Sequence, residues 1–320
     1  MSEVFFNELD ISEPHINLNI GSGTHGQQTG EIMKRIEKIL IKQNPDLVLV
    51  YGDTNSTLAG ALAAAKLRIP LGHIEAGLRS FNYIMPEETN RLLTDHCSDF
   101  LFAPTNTAVQ NLLNENINKE KIFHPGDVMY DAAMYYKNKS KKHTGLLEKY
   151  ALKKNNYIIA TIHRAENTDN FSKLEIILRA FDKISEMCNV LLPLHPRTKK
   201  FIEKHNIKLN PYKLKIIEPL SYLEMIFLES RSGMIITDSG GVQKEAYFFK
   251  KPCLTLRNET EWIELVNAGC NVICPPDSVI NIFQAVKLIF KSEFNFNKLF
   301  YGNGKSAEKI TNIIKKIFIR

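Results

Sequence analysis

The chain has 320 residues, 44% hydrophobic and 24% charged, an ordinary globular composition with room for two domains of moderate size. Its formal charge of +6 is mild and its lysine pairs are scattered (Lys141 and Lys142, Lys199 and Lys200, Lys315 and Lys316) without an arginine–aromatic pattern. Nucleic acid is therefore not an expected partner, while a basic balance suits an anionic small substrate. No apolar run is long enough to span a bilayer and no signal peptide is read at the start, so no membrane association is expected. The 5 cysteines, Cys97, Cys188, Cys253, Cys270 and Cys274, form no CxxC and no zinc pattern. Reduced thiols, a cytoplasmic location and no metal are the expectations.

In chain order, the spacing predicts a short amphipathic helix over 2–11, then an extended segment and glycine-rich loop over 17–30 ending in GSGTHGQQTG. A helix over 31–43 follows from Ile32, Ile36, Ile39 and Leu40 at helical intervals, and Pro45 stops it. Strands over 47–51, 69–74, 100–103 and 122–125 then alternate with helices over 54–67, 86–97 and 105–115. The pattern lapses over 127–150, and the connection between domains is expected there. A second series follows: strands over 157–161, 190–194, 214–217, 233–237, 253–256 and 272–274, with helices over 172–185, 197–205, 220–229, 241–249 and 261–268. Helices over 279–290 and 306–319 finish the chain. This alternation is that of parallel sheets in an α/β fold. The expected division is an N-terminal domain over 1–137, with the helix over 306–320 packing back on it, and a C-terminal domain over 150–305.

Candidate site residues gather at strand ends, where ligands bind in open α/β sheets. Asp53 follows the apolar run ending at Tyr51. Glu75 follows the next strand, and Glu87 and Glu88 open the helix after that, with Arg79 and Arg91 among them. Each acid also has an ordinary reading. Asp53 could cap a helix, Glu75 could pair with Arg79, and acids suit any first helical turn. Their coincidence at consecutive βα junctions favours a site.

In the second half, DSGGVQKE (238–245) is the sharpest signal. Bare glycines let a phosphate reach the backbone at a helix start, Ser239 adds a hydroxyl, and Glu245 one turn on could hold a ribose diol. His163 and Arg164 end one strand, and His195 with Arg197 ends the next. Arg257 ends a third, and Glu261 stands close by.

Together these motifs resemble the non-hydrolysing UDP-N-acetylglucosamine 2-epimerases. The matching stretches are YGDTNST (51–57), HIEAGLRS (73–80), MPEETNR (85–91), GDVMYD (126–131), His163-Arg164, DSGGVQKE (238–245) and RNETEWIELVNAG (257–269), in family order along nearly the whole chain. The loop GSGTHGQQTG and the pentad around Trp262, TEWIE where many family members have TERPE, look closer to the branch acting on UDP-2,3-diacetamido-2,3-dideoxyglucuronate.

The resemblance implies two Rossmann-like domains of GT-B type with a UDP-sugar in the cleft, no cofactor, and a homodimer. It implies inversion of C2 through anti elimination of UDP and its re-addition, supplying a precursor for surface polysaccharide. It puts the catalytic groups at Asp53, Glu75, Glu87 and His163. Substrate contacts fall on Arg79, Arg91, Arg164, His195, Ser239, Gly240, Gly241, Glu245 and Arg257. A departure lies at the front: the family's first strand, GxRP-type loop, helix and second strand have no counterpart after Met1. The N-terminal domain is expected to be incomplete, with about four strands against the usual five to six. Such a chain is expected to bind UDP and epimerise poorly.

Overall fold

The computed structural model describes Phe6, residues 8–194, Thr198, Lys199, Ile202, His205, Ile207, Leu209, Asn210 and residues 213–318. The chain forms two compact units. One, here the N-terminal unit, comprises Ser12–Asp131 and Leu299–Arg320; the other, the C-terminal unit, comprises Met1–Ile11 and Ala132–Lys298.

The N-terminal unit holds a parallel sheet of four described strands in sequential order: β1 (Val48–Tyr51), β2 (Leu71–Ile74), β3 (Phe100–Phe102) and β4 (Ile122–Phe123). Tyr51 stands opposite Ile74, and Ile74 opposite Phe102, so the first three strands end level. The loops that leave them therefore start side by side. β2 is buried throughout, as a parallel strand covered on both faces must be. The helix His25–Gln43 begins inside the stretch read as a glycine-rich loop. Glycine lowers helix propensity by only about 1 kcal/mol, and the buried Ile32 and Leu40 anchor the face that the later turns present. Asn44, in the left-handed region at φ 43°, ends this helix. The last helix, Ser306–Phe318, packs on the same unit: Ile310 joins Ile74 and Phe102, and Phe318 meets Phe100 edge to face at 5.8 Å.

The C-terminal unit holds a parallel sheet of six described strands. They are β5 (Tyr157–Thr161), β6 (Asn189–Pro193), β7 (Leu214–Ile217), β8 (Met234–Thr237), β9 (Cys253–Thr255) and β10 (Asn271–Ile273), in the order β10-β9-β8-β5-β6-β7. The chain runs outward from β5 to one edge, returns to β8 beside β5, and runs to the other edge. This is the doubly wound order with its switch point between β5 and β8, where a crevice opens outside the carboxyl ends. Ile158, Ile159, Leu191 and Ile235 are wholly buried at its centre.

The helix Val128–Lys139 occupies the start of the stretch read as patternless. Only Ala133 along it is buried, so it carries little hydrophobic periodicity to read. The opening segment, read as the head of the N-terminal domain, has its contacts in the C-terminal unit. Glu8 accepts the Leu223 N–H at 3.2 Å, and the Tyr136 hydroxyl donates to the Leu9 carbonyl at 3.1 Å. The helix expected over 197–205 falls largely outside the described residues.

Candidate active site

In the N-terminal unit, Asp53 lies just past β1 and Glu75 just past the neighbouring β2. Thr54, not Asp53, caps the next helix: Thr57 Oγ1 accepts the Thr54 N–H at 3.2 Å. The Asp53 carboxylate is thus left for Arg91, whose Nε and Nη2 reach its Oδ2 at 3.0 and 2.8 Å. Asn90 holds the backbone of the same residue, donating to the Asp53 carbonyl at 2.8 Å. One face of the helix Pro86–Cys97 therefore grips both ends of Asp53.

Glu75 adopts φ +76°, a left-handed conformation costly for a side chain with Cβ. Its own N–H and that of Ala76 both donate to the Phe102 carbonyl, at 3.1 and 3.2 Å, which holds the turn. The Glu75 carboxylate oxygen lies 3.6 Å from where a Cβ on Gly52 would stand. Gly52 itself sits at φ +65°. The two acid-bearing loops thus meet at Gly52, a position that suits glycine on both counts.

Glu87 and Glu88 separate, because successive helical residues point about 100° apart. Glu88 is buried and accepts from Ser80 N at 3.0 Å, Phe81 N at 2.9 Å, Ser80 Oγ at 3.0 Å and Arg91 Nη1 at 2.7 Å. Burial alone would raise the Glu88 carboxyl, but these donors and the Arg91 charge outweigh it and hold it below the usual range. Glu87 is exposed. Arg79, read as a substrate contact, is buried with its fork closed. Nε and Nη2 meet Glu115 at 2.6 and 2.8 Å, and Nη1 meets Asp95 at 2.7 Å and the Leu78 carbonyl at 2.6 Å. Its guanidinium ties three segments together and is turned away from solvent.

In the C-terminal unit the switch point carries both of the motifs read there. Thr161 and Thr237, paired in register on β5 and β8, share a hydroxyl hydrogen bond of 2.6 Å. Beyond them lies the wholly buried Asp238. It accepts the backbone N–H of His163 and of Arg164, each at 3.1 Å, and Asn167 Nδ2 at 3.0 Å. Asp238 thereby fixes the bend that presents His163, whose side chain is 59% exposed with Nδ1 3.6 Å from the same carboxylate.

Ser239 caps the helix Gly240–Phe248, its Oγ accepting from Val242 N at 3.5 Å. Gly240 and Gly241 form its first turn, whose N–H groups have no partner within a helix and suit an anion. Glu245 is buried, bonded by the Tyr222 hydroxyl at 3.1 Å, and burial pushes its carboxyl up to about 7. A Cβ on Gly240 would lie 3.6 Å from Trp262 Nε1 and 3.7 Å from a Glu261 oxygen. The 257–262 loop therefore lies against the glycine turn. Arg257 donates to Glu261 at 2.9 Å, and Arg164 approaches Glu261 at 3.7 Å. Arg257 Nε and Nη2 are buried and have no hydrogen-bond partner among the described residues. The fully buried Gln243 anchors this loop by accepting from Thr260 at 2.6 Å and Asn271 at 2.9 Å. His195 lies outside the described residues.

Sequence reasoning passed over several supporting groups: Asn90, His73, Asp95, Asp238 and Gln243. Asp238 was within reach, since an acid directly before a glycine turn at a switch point has backbone N–H groups to satisfy. Gln243 and Asp95 become visible only in three dimensions. Among the described residues, no group of three or more His, Cys, Asp or Glu could hold a metal ion, and no helix is long and apolar enough to cross a membrane.

Fold and site together define a Rossmann-type α/β protein, with carboxylates at strand ends in one unit and a glycine turn at a helix start in the other. Residues 1–315 match the family described as UDP-N-acetylglucosamine 2-epimerase, and the chain belongs to that family. It is 51% identical to a UDP-N-acetylglucosamine 2-epimerase homolog of Methanococcus maripaludis, over 99% of this chain and 88% of that protein. It is 48% identical to the UDP-2,3-diacetamido-2,3-dideoxy-D-glucuronate 2-epimerase of Pseudomonas aeruginosa, with the same coverage of each. The crystal structure of the Methanocaldococcus jannaschii UDP-GlcNAc 2-epimerase, in complex with UDP-GlcNAc and UDP, superposes with a TM-score of 0.88. It is 45% identical and covers 99% of this chain and 88% of that one.

Proposed function

We propose that the chain inverts C2 of UDP-N-acetylglucosamine to give UDP-N-acetylmannosamine. The observation that carries this reading is the placement of Asp53 and Glu75 just past adjoining, level strand ends, with Arg91 fixed on Asp53. C2 inversion takes a proton from one face and returns it to the other, so it needs more than one acid/base group. A base removes the C2 proton as the C1–O bond to UDP breaks and C1=C2 forms. UDP then re-adds at C1 while a proton enters C2 from the opposite face. Asp53, Glu75, Glu87 and His163 are the proposed acid/base set. Ser239, Gly240 and Gly241 meet the diphosphate, Glu245 the ribose, and Arg164 and Arg257 supply positive charge for the departing UDP.

Arg257's two unused donors support its share of this work, because a buried guanidinium N–H without a partner is costly unless a ligand takes it. A homodimer is carried by the family likeness. A cytoplasmic setting is supported by the 5 free thiols, and the proposed product suits surface-polysaccharide precursor synthesis. UDP-2,3-diacetamido-2,3-dideoxyglucuronate is the second substrate proposed, favoured by Trp262 in TEWIE.

Proton NMR of each UDP-sugar in deuterated water tests both. The expected result is exchange of the C2 proton with appearance of the C2 epimer. No exchange with either sugar would overturn the reading, and light scattering on the same sample reads the oligomer.

A further inference from the structure

His73 is buried in β2 and bridges the turn after β1 and the helix Pro86–Cys97. Its Nδ1 lies 2.7 Å from Asp95 Oδ1 and its Nε2 lies 2.8 Å from the Gly52 carbonyl. A carbonyl can only accept, so Nε2 carries a proton. Asp95 is an acceptor as well, because its other oxygen already takes the Arg79 guanidinium at 2.7 Å and the Gly77 N–H at 3.1 Å. Two acceptors on one imidazole require both nitrogens to donate. We propose that His73 is a standing imidazolium that positions the Gly52–Asp53 turn against Glu75, a positioning residue for the epimerisation.

Every group facing the ring agrees with a cation there. From its own strand, Glu75 lies beyond Ile74 and adds negative charge. From the Pro86–Cys97 helix comes Asp95, and from the end of β1 the Gly52 carbonyl. Arg79 stands behind Asp95 and is itself answered by Glu115, which also meets His96 at 3.0 Å. Burial pulls His73 down, yet the Asp95 bond and charge, the Gly52 carbonyl and Glu75 together leave it raised. Asp95 would be raised by burial but is held low by His73 and Arg79.

Gly77 lets the network close. It sits at φ +81°, and a Cβ there would run into the Ala108 carbonyl. The consequence for function follows from the level register of β1 and β2. The ring crosses from one strand to the turn of the next, one residue from Asp53 and two from Glu75. It therefore sets the distance between two of the proposed acid/base groups without touching substrate.

This inference rests on the proposed epimerisation, and two measurements separate their failures. The first needs no activity: nitrogen-15 NMR of histidine-labelled wild-type protein, with the His73 signal assigned by its loss in His73→Asn. Both ring nitrogens are expected to stay protonated from about pH 6 to about pH 9, far beyond an ordinary histidine. An unprotonated ring nitrogen at about pH 8 would overturn the proposal.

The second compares two neutral variants in the C2-exchange assay, with wild-type exchange as the control for the function itself. His73→Gln carries an amide to the Nε2 position and can still donate to Gly52. His73→Asn reaches only the Nδ1 position. Both lose the charge; His73→Gln keeps the Gly52 bond and gives up the Asp95 bond, and His73→Asn does the reverse. His73→Asn is expected to lose about tenfold or more in kcat, as a missing hydrogen bond converts, with KM within about threefold. His73→Gln is expected to recover most of that loss. Equal kcat in the two variants would reduce His73 to a packing role and overturn the positioning claim.

Discussion

A single carboxylate oxygen of Asp53 takes both Nε and Nη2 of Arg91, while Nη1 of the same guanidinium holds Glu88 at 2.7 Å. One planar fork thus orients an acid at the end of β1 and anchors the loop that Glu88 organises. A lysine ammonium is a point charge on a flexible stem and cannot hold both acids in this geometry. Arg91→Lys is expected to lower kcat for C2 exchange by about tenfold to a hundredfold, the loss of one charged hydrogen bond of about 1.5–3 kcal/mol. A kcat within threefold of wild type would show that Asp53 needs no such orientation.

The neighbouring acids Glu87 and Glu88 should behave as opposites. Glu88→Gln breaks a buried set of donors from Ser80, Phe81 and Arg91, and is expected to cost about 1.5–3 kcal/mol in a urea melt. Glu87→Gln is an exposed substitution, expected to stay within about 0.5 kcal/mol of wild type while suppressing C2 exchange. Reversed effects would move the chemistry from Glu87 to Glu88.

The buried pair Glu229 and Glu245 carries a pH dependence of stability. Neither Glu229 oxygen has a hydrogen-bond partner among the described residues, and burial with the Glu245 charge raises its carboxyl well above the ordinary range. Burial also pushes Glu245 to about 7. Above the ordinary glutamate range the folded chain therefore holds protons that the unfolded chain has released. Stability is full below the unfolded values and declines as pH rises through 7. Glu229→Gln removes one of these titrations. Its Tm relative to wild type should be higher at about pH 8 than at about pH 5, measured by thermal melts in matched buffers. An equal difference at both pH values would mean that Glu229 does not titrate across this span.

The glycine turn after Asp238 is the remaining target. Gly241→Asp sets a carboxylate beside the first N–H groups of the helix Gly240–Phe248, where the diphosphate is proposed to bind. Titration calorimetry with UDP is expected to show affinity down by about tenfold or more, each ~1.4 kcal/mol being a factor of ten. Unchanged affinity in a folded variant would leave the turn a structural bend only.

Much of this architecture was legible before any coordinates. The apolar runs and period-3.6 patterns place most strands and helices within a residue or two, because buried parallel strands and their covering helices leave strong hydrophobic signals. The segment 21–30 was less legible: its glycines read as a loop, whereas His25 onward is helical. So was the helix Val128–Lys139, which buries a single residue and leaves little period to detect.

The sequence by itself determined the α/β class, the acids at consecutive βα junctions and the glycine turn, since each depends on chemistry within a few residues of one position. Only the tertiary structure decided which acids and bases are enclosed and which partners they hold. Arg79 and Arg91 look alike in sequence, yet one is enclosed by Asp95 and Glu115 and the other reaches Asp53. Glu87 and Glu88 are adjacent, yet the turn of the helix leaves one in solvent and buries the other. His73 joins Gly52 across 21 residues and Asp95 across 22. Hydrogen bonds between distant segments, and the burial that makes them strong, are properties of the folded sheet, and no local pattern encodes them.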